Sequence, residues 1–290
     1  MHGPGGAGER GPVKLPTHGP ADLPDSESRH SMRRLPYEDP ITRAGPVSRT
    51  VAVLALLVSL FALLLVRDPR AEAGPALATL GAGLVLAVVA VLLALVAFVR
   101  VWREGARGLG AALAGLFLAS LVLAYPAYAA LRAVRLPAIA DVTTDTDNPP
   151  AFSRSRTAFA ARDGRYPPDP GPAARTAQRA AYPQIAPLTL DLDADEAFEL
   201  ARKAAVNRRW QIVEAIRPGG RVGNGRIEAV SRGPILNLAD DVTVRVHPRA
   251  DGARIDVRSA SRLGTRDLGS NADRIRAYLD EVANLAIAVK

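Results

Sequence analysis

The side chains best suited to chemistry cluster near the C-terminus, in residues 255–276, which read IDVRSASRLGTRDLGSNADRIR. The stretch begins as a strand, breaks at Gly264 and Gly269, and restarts as a helix, with Ser270 as its cap and Asp273 three residues on. Arg258, Arg262 and Arg266 lie just upstream of that helix start, and Ser270 and Asn271 form it. Guanidinium forks and helix N-termini both suit phosphate or carboxylate groups, so these five residues make a candidate anion site. The competing reading is a structural charge network, in which Asp240, Asp241, Arg245, Asp256 and Asp267 neutralise the arginines and one another. Strand alternation places Arg258 and Arg262 on one face and Ser259 and Ser261 on the other, with Ile255 and Val257. The serines are therefore expected to be partly buried and bonded to backbone.

Catalytic patterns are weaker. His247, the one histidine after residue 135, sits at a strand end before Pro248, and no nucleophile-elbow motif accompanies Ser259 or Ser261. Asp240, Asp241 and Glu228 around a divalent cation would make an anchored hydrolase, but no ligand spacing supports it. Asp141, Asp145, Asp147 and Asn148 offer oxygen ligands without the Gly and terminal Glu of a calcium loop, so turn capping is the simpler reading. GGRVGNG, residues 219–225, lies between two strands and reads as a turn, not a phosphate loop. No catalytic residue, metal or cofactor is assigned, and a non-enzymatic binding or scaffold module is expected.

The elements that must hold this stretch follow from pattern. Residues 188–190 form a short strand, and Asp193 with Glu196 opens a helix reaching about Arg209. Residues 210–216 and 226–232 are strands. Val242, Val244 and Val246 alternate with Asp241, Thr243, Arg245 and His247, and the next strand returns over 253–262. If Arg245 faces Asp256, Thr243 faces Arg258, giving a cross-strand ion pair on an exposed face. Residues 188–290 thus form a small α+β domain, an antiparallel sheet of about four strands flanked by two helices. Residues 133–187, rich in proline, read as an extended connector.

Upstream lies a membrane block. Residues 50–66, 75–99 and 109–131 are apolar runs long enough to span a bilayer, so residues 47–132 are expected to hold three transmembrane helices. Tyr125 and Tyr128 sit near the third run's end, where amphipathic rings favour the headgroup level. Gly81 and Gly83, with the pairs Gly110/Ala114 and Ala111/Gly115, offer close-approach points, against the plainer reading that Ala and Gly are simply abundant in these runs. The second and third runs carry no ionisable residue, which argues against transport. Arg33, Arg34, Arg43, Arg49, Arg100, Arg103 and Arg107 flank one side, against Arg67, Arg70, Arg132 and Arg135 on the other. The richer side is expected to be cytoplasmic, which puts the C-terminal domain outside it.

Residues 1–46 are rich in Gly, Pro, Ser and charge, lack an apolar period and are expected to be disordered. Met32 opens MRRLPYEDP and offers a second natural start beside Met1, in which case residues 1–31 are an extension. The chain's net charge of +8 is misleading, because residues 136–290 hold 23 Lys and Arg against 20 Asp and Glu. Such a mixed surface does not suit nucleic acid, and the expected partners are the bilayer, an anionic lipid or an envelope protein. With no cysteine, the chain has neither disulfides nor thiolate metal sites.

DVTTDTDNPPAF (141–152), AYPQI (181–185), RRW ending at Trp210, RIEA (226–229), ADDVTVRV (239–246) and VRSASRLGTRDLGSNADRIRAYL (257–279) follow one another in a telling order. The region from Asp141 to Val282 resembles the domain-of-unknown-function 1499 family, and the three preceding spans resemble its membrane-anchored bacterial members. What the resemblance implies is a multi-pass protein of the bacterial inner membrane with no assigned reaction.

Overall fold

The structure is a computed structural model that describes residues 42–68, 73–219 and 223–289. The segment expected to be disordered lies almost wholly outside these residues, as do parts of the turns at 67–70 and 218–225.

Three helices, α1 (Ala44–Arg67), α2 (Ala73–Glu104) and α3 (Leu109–Arg135), are each long and apolar enough to cross a membrane. Their 24, 32 and 27 residues exceed the ~20 needed for a hydrocarbon core about 30 Å thick. Small side chains face inward: Ala52, Ala55, Ala87, Ala90 and Ala119 are buried, whereas Leu57, Phe61, Leu92 and Phe117 point outward. That arrangement suits lipid, in which outward apolar groups cost nothing and small residues let backbones approach. α1 packs against both partners, and Ser48 Oγ donates to the carbonyl of Ala90 at 2.8 Å.

Only two of the four glycines named from sequence serve that approach. A Cβ on Gly83 would meet Ser59, and one on Gly115 would meet Ser48 and, at 2.9 Å, the backbone nitrogen of Arg49. Gly81 and Gly110 face open space. Gly115→Leu is therefore expected to force α1 and α3 apart at a cost of about 1–3 kcal/mol. The melting temperature of the detergent-purified protein should drop for Gly115→Leu and hold for Gly110→Leu. Equal values would remove this seam from the account.

Beyond α3 the chain enters a six-stranded antiparallel sheet of strands β1 (Asp141–Thr143), β2 (Leu188–Leu190), β3 (Gln211–Ile216), β4 (Gly225–Arg232), β5 (Ala239–Arg249) and β6 (Gly252–Ser261). The order is β1-β6-β5-β4-β3, and β2 lies on the same side of β6 as β1, further along it. The helices are α4 (Arg156–Ala161), α5 (Gly171–Ala181), α6 (Ala194–Asn207) and α7 (Ser270–Val289). α6 starts as its sequence predicts, with Asp193 Oδ1 accepting the N–H groups of Asp195 and Glu196 at 2.8 and 2.9 Å. α6 and α7 cover one sheet face, where Phe198, Ala201, Ile275 and Val282 meet Val242, Val244, Ile255 and Val257. Tyr278 stacks on Trp210 with ring centres 4.6 Å apart and donates to the carbonyl of Ala201 at 2.9 Å.

The other face is covered too, which corrects two expectations. Residues 136–187 are not simply extended: they carry β1, α4 and α5. The proline rule fails at α5 because Pro172 falls in the first turn, where a missing N–H costs nothing. The face carrying Arg245, Asp256, Thr243 and Arg258 is consequently buried rather than exposed, with Thr243 inaccessible and Asp256 at 1%. The expected register is present, Arg245 opposite Asp256 and Thr243 opposite Arg258.

Candidate functional site

The arginines singled out from sequence are divided between two places. Arg258 chelates Asp141 (Nε–Oδ1 3.0 Å, Nη2–Oδ2 2.7 Å), donates to the carbonyls of Pro150 and Pro168, and lies 4.9 Å over the ring of Phe152. Arg262 grips Asp241 (3.1 and 2.7 Å), Asp163 (2.8 Å) and the carbonyl of Ala161 (2.7 Å). Both guanidinium groups are thus surrounded by acceptors of the chain itself. Arg245 pairs with Asp256 at 2.9 Å and reaches the carbonyl of Asn148, and Arg254 links Asp256 to Asp145.

The centre of this face is a pair whose arginine the sequence reading missed. Arg162, from the end of α4, is 3% exposed and donates to Glu228 on β4 at 3.0 Å. Its other terminal nitrogen meets the carbonyl of Ser153, while the N–H of Ser153 donates to Glu228 at 2.7 Å. Burial pushes the Glu228 carboxyl up to about 7, against the opposing pull of the Ser153 N–H, Thr243 and Arg162. Burial raises Asp141 and Asp241 as well, offset in part by Arg258 and Arg262. These contacts fasten the segment after α3 onto the sheet.

On the helix-covered face, Asn271 is buried and gathers Ser259 Oγ (2.8 Å), Ser261 Oγ (3.1 Å) and the carbonyl of Ala140 (3.0 Å). The two serines thus bond to a side chain, not to backbone as expected. Arg274 joins Asp240, Ser231 (3.0 Å) and Ser259 (2.9 Å). The leading N–H groups of α7 are capped by Asp267 rather than by Ser270: its carboxylate accepts from Gly269 at 2.9 Å and Asn271 at 2.8 Å. Asp267 therefore caps a helix and does not neutralise an arginine, and its own carboxyl is raised by burial.

Asp240 meets Arg274, Asp241 meets Arg262 and Glu228 meets Arg162, so these three carboxylates do not converge on one point. Among the described residues no group of three or more His, Asp or Glu is arranged to hold a metal. His247 bonds Asn224 at 2.6 Å on the face opposite Ser259. Asp145 accepts the N–H groups of Asp147 and Asn148, the turn-capping arrangement read from its loop.

Arg266 and Ser270 belong to a different feature, a cleft of about 720 Å³ between α3 and the domain. One wall is membrane helix, with Tyr125, Tyr128 and Arg132. The other is formed by the β4–β5 and β6–α7 loops, with Leu236, Leu238, Leu263 and Leu268 beside Arg266 and Ser270. Polar contacts hold the walls together: Arg132 meets Asp273 at 2.8 Å, Arg266 the carbonyl of Ala133 at 2.8 Å, and Arg67 the carbonyl of Pro234 at 3.1 Å. The cleft is therefore amphipathic, and two tyrosines suited to the headgroup level line it.

Fold and geometry together define a bundle of three membrane-crossing-length helices that carries one α+β domain. Residues 141–282 match the family described as Protein of unknown function (DUF1499), and this domain belongs to it. No curated protein and no solved structure matches the chain.

Proposed function

We propose that the protein is a multi-pass, non-enzymatic binding module of a bacterial inner membrane, with its domain on the extracytoplasmic side. Its task on this reading is to take the polar end of an anionic lipid into the cleft beside α3. One observation carries the proposal: the cleft is walled jointly by membrane helix and domain, with leucines, tyrosines and cations side by side, while its three carboxylates are engaged, Asp240 by Arg274, Asp267 by the start of α7 and Asp273 by Arg132. An amphiphile sliding from the bilayer would keep its apolar part against Leu236, Leu238 and Leu263 and present its charge to Arg266 and Arg132. The positive flank before α1 and after α2 supports the stated orientation.

Native mass spectrometry of the detergent-purified full-length protein tests this. The parent should retain a phospholipid, and Ala129→Trp, which fills the α3 wall, and Arg266→Ala should reduce its occupancy about tenfold. Arg258→Ala, behind the sheet, should not change it in the fraction that folds. Equal occupancy in the parent and both cleft variants would overturn the reading.

A further inference from the structure

The domain's buried arginines, Arg162 and Arg258, meet carboxylates, whereas three exposed ones, Arg208, Arg209 and Arg232, stand together without one among the described residues. A second chamber, of about 380 Å³, is lined by Arg208, Arg209, Gln211, Ser231, Arg232 and Pro234, together with Val230. It shares Arg208, Ser231, Arg232 and Pro234 with the membrane-facing cleft, so the two spaces adjoin. None of its lining residues is acidic, and none of the three arginines meets a carboxylate among the described residues. Arg208 and Arg232 reach only backbone carbonyls, those of Ala277 at 3.3 Å and Asn237 at 3.4 Å. Most of the five N–H donors on each exposed group are left to solvent and to whatever enters the chamber.

Arg209 also stands where its residue type is locally disfavoured. It follows the end of α6 with φ of 59°, a left-handed position that glycine or asparagine occupies at lower cost. The chain keeps a long cation there and aims it at the same opening as two others.

We infer that the Arg208–Arg209–Arg232 chamber seats a phosphoryl group, the headgroup end of the ligand held in the cleft. Three guanidinium groups without a counter-charge suit a dianionic phosphomonoester better than a single carboxylate, and forks of this shape bind phosphate oxygens in pairs. The inference rests on the cleft reading only for the lipid source of that group, since free phosphate presents the same oxygens.

Calorimetric titration of the full-length protein in neutral detergent separates the cases, using inorganic phosphate, short-chain phosphatidic acid and phosphatidylcholine of equal chain length. The expected result is tighter binding of phosphatidic acid than of phosphatidylcholine, at least tenfold loss in Arg209→Gly and Arg232→Ala, and weakening with salt. Glycine at position 209 relieves the left-handed backbone, so the variant should melt no lower than the parent and its loss cannot be ascribed to unfolding. Arginine-dependent binding of phosphate with no binding of phosphatidic acid supports the chamber and overturns the cleft. Phosphatidic acid binding that responds to Ala129→Trp but not to the arginines supports the cleft and overturns the chamber. If neither phosphate nor phosphatidic acid binds, both fall.

Discussion

Arg162→Ala is expected to lower the stability of the folded chain by about 3–5 kcal/mol near pH 8, more than any exposed arginine in the molecule. The substitution removes the close member of a buried pair and leaves Glu228 with the Ser153 N–H and the more distant Arg226 guanidinium at 3.9 Å, in a site from which water is excluded. A buried charge deprived of its close partner, not the lost bond itself, sets the size of the effect. The loss should shrink in acid, because the orphaned carboxyl can then take up a proton. Replacing both partners, Arg162→Met with Glu228→Leu, should recover most of the stability, since shape is kept and no charge is buried. Urea unfolding followed by Trp210 emission, in a Trp102→Phe background, reads all three proteins. A loss below about 1 kcal/mol for the single variant is the behaviour of a surface pair and would contradict this account.

The same carboxyl should make the domain less stable as pH rises through neutrality. An unfolded glutamate titrates at its ordinary value of 4.5, whereas burial holds Glu228 near 7 in the folded chain. Between those values the folded state holds a proton that the unfolded state has released. Its contribution is therefore full below about pH 4.5, declines as pH rises through about 7, and is gone above that. At about 1.4 kcal/mol per pH unit, the full effect approaches ~3 kcal/mol. Asp141, Asp241 and Asp267 are also raised by burial and act in the same direction. Glu228→Gln isolates the one group, because the other three remain in both proteins. The unfolding free energy of the parent relative to Glu228→Gln should fall between pH 5 and pH 8. A flat difference, or one that rises with pH, would show that Arg162 holds Glu228 ionised throughout.

How much could be read beforehand depended on where each residue's partner lies in the chain. The alternation of Val242, Val244 and Val246, the Asp193 cap and the break before α7 are local patterns, and the elements they predict are present. Alternation also sorted Arg258 and Arg262 from Ser259 and Ser261 correctly. It could not say that the charged face is covered, because Arg162 and Glu228 are 66 residues apart and nothing near either one marks the pairing. The burial of Tyr278 is hidden for a related reason: its ring is fully buried with its hydroxyl bonded to the carbonyl of Ala201, 77 residues away. Ser270 looked like the cap because serine commonly is one, whereas Asp267 holds the position through a left-handed Leu268 and Gly269. The cleft was the least legible feature. Its walls come from α3 and from two loops more than a hundred residues further on.

β1 begins six residues after the end of α3, yet its hydrogen-bonding partner is β6, the last strand of the chain. During synthesis, the segment nearest the bilayer must therefore wait, unpaired, until almost the entire domain has been delivered to the same side. The sheet closes as a late event, and a ribosome that stops before Gly252 leaves an anchored chain with an open edge beside the membrane. Every chain that ends short of β6 therefore lacks the one strand that both β1 and β2 need as their partner.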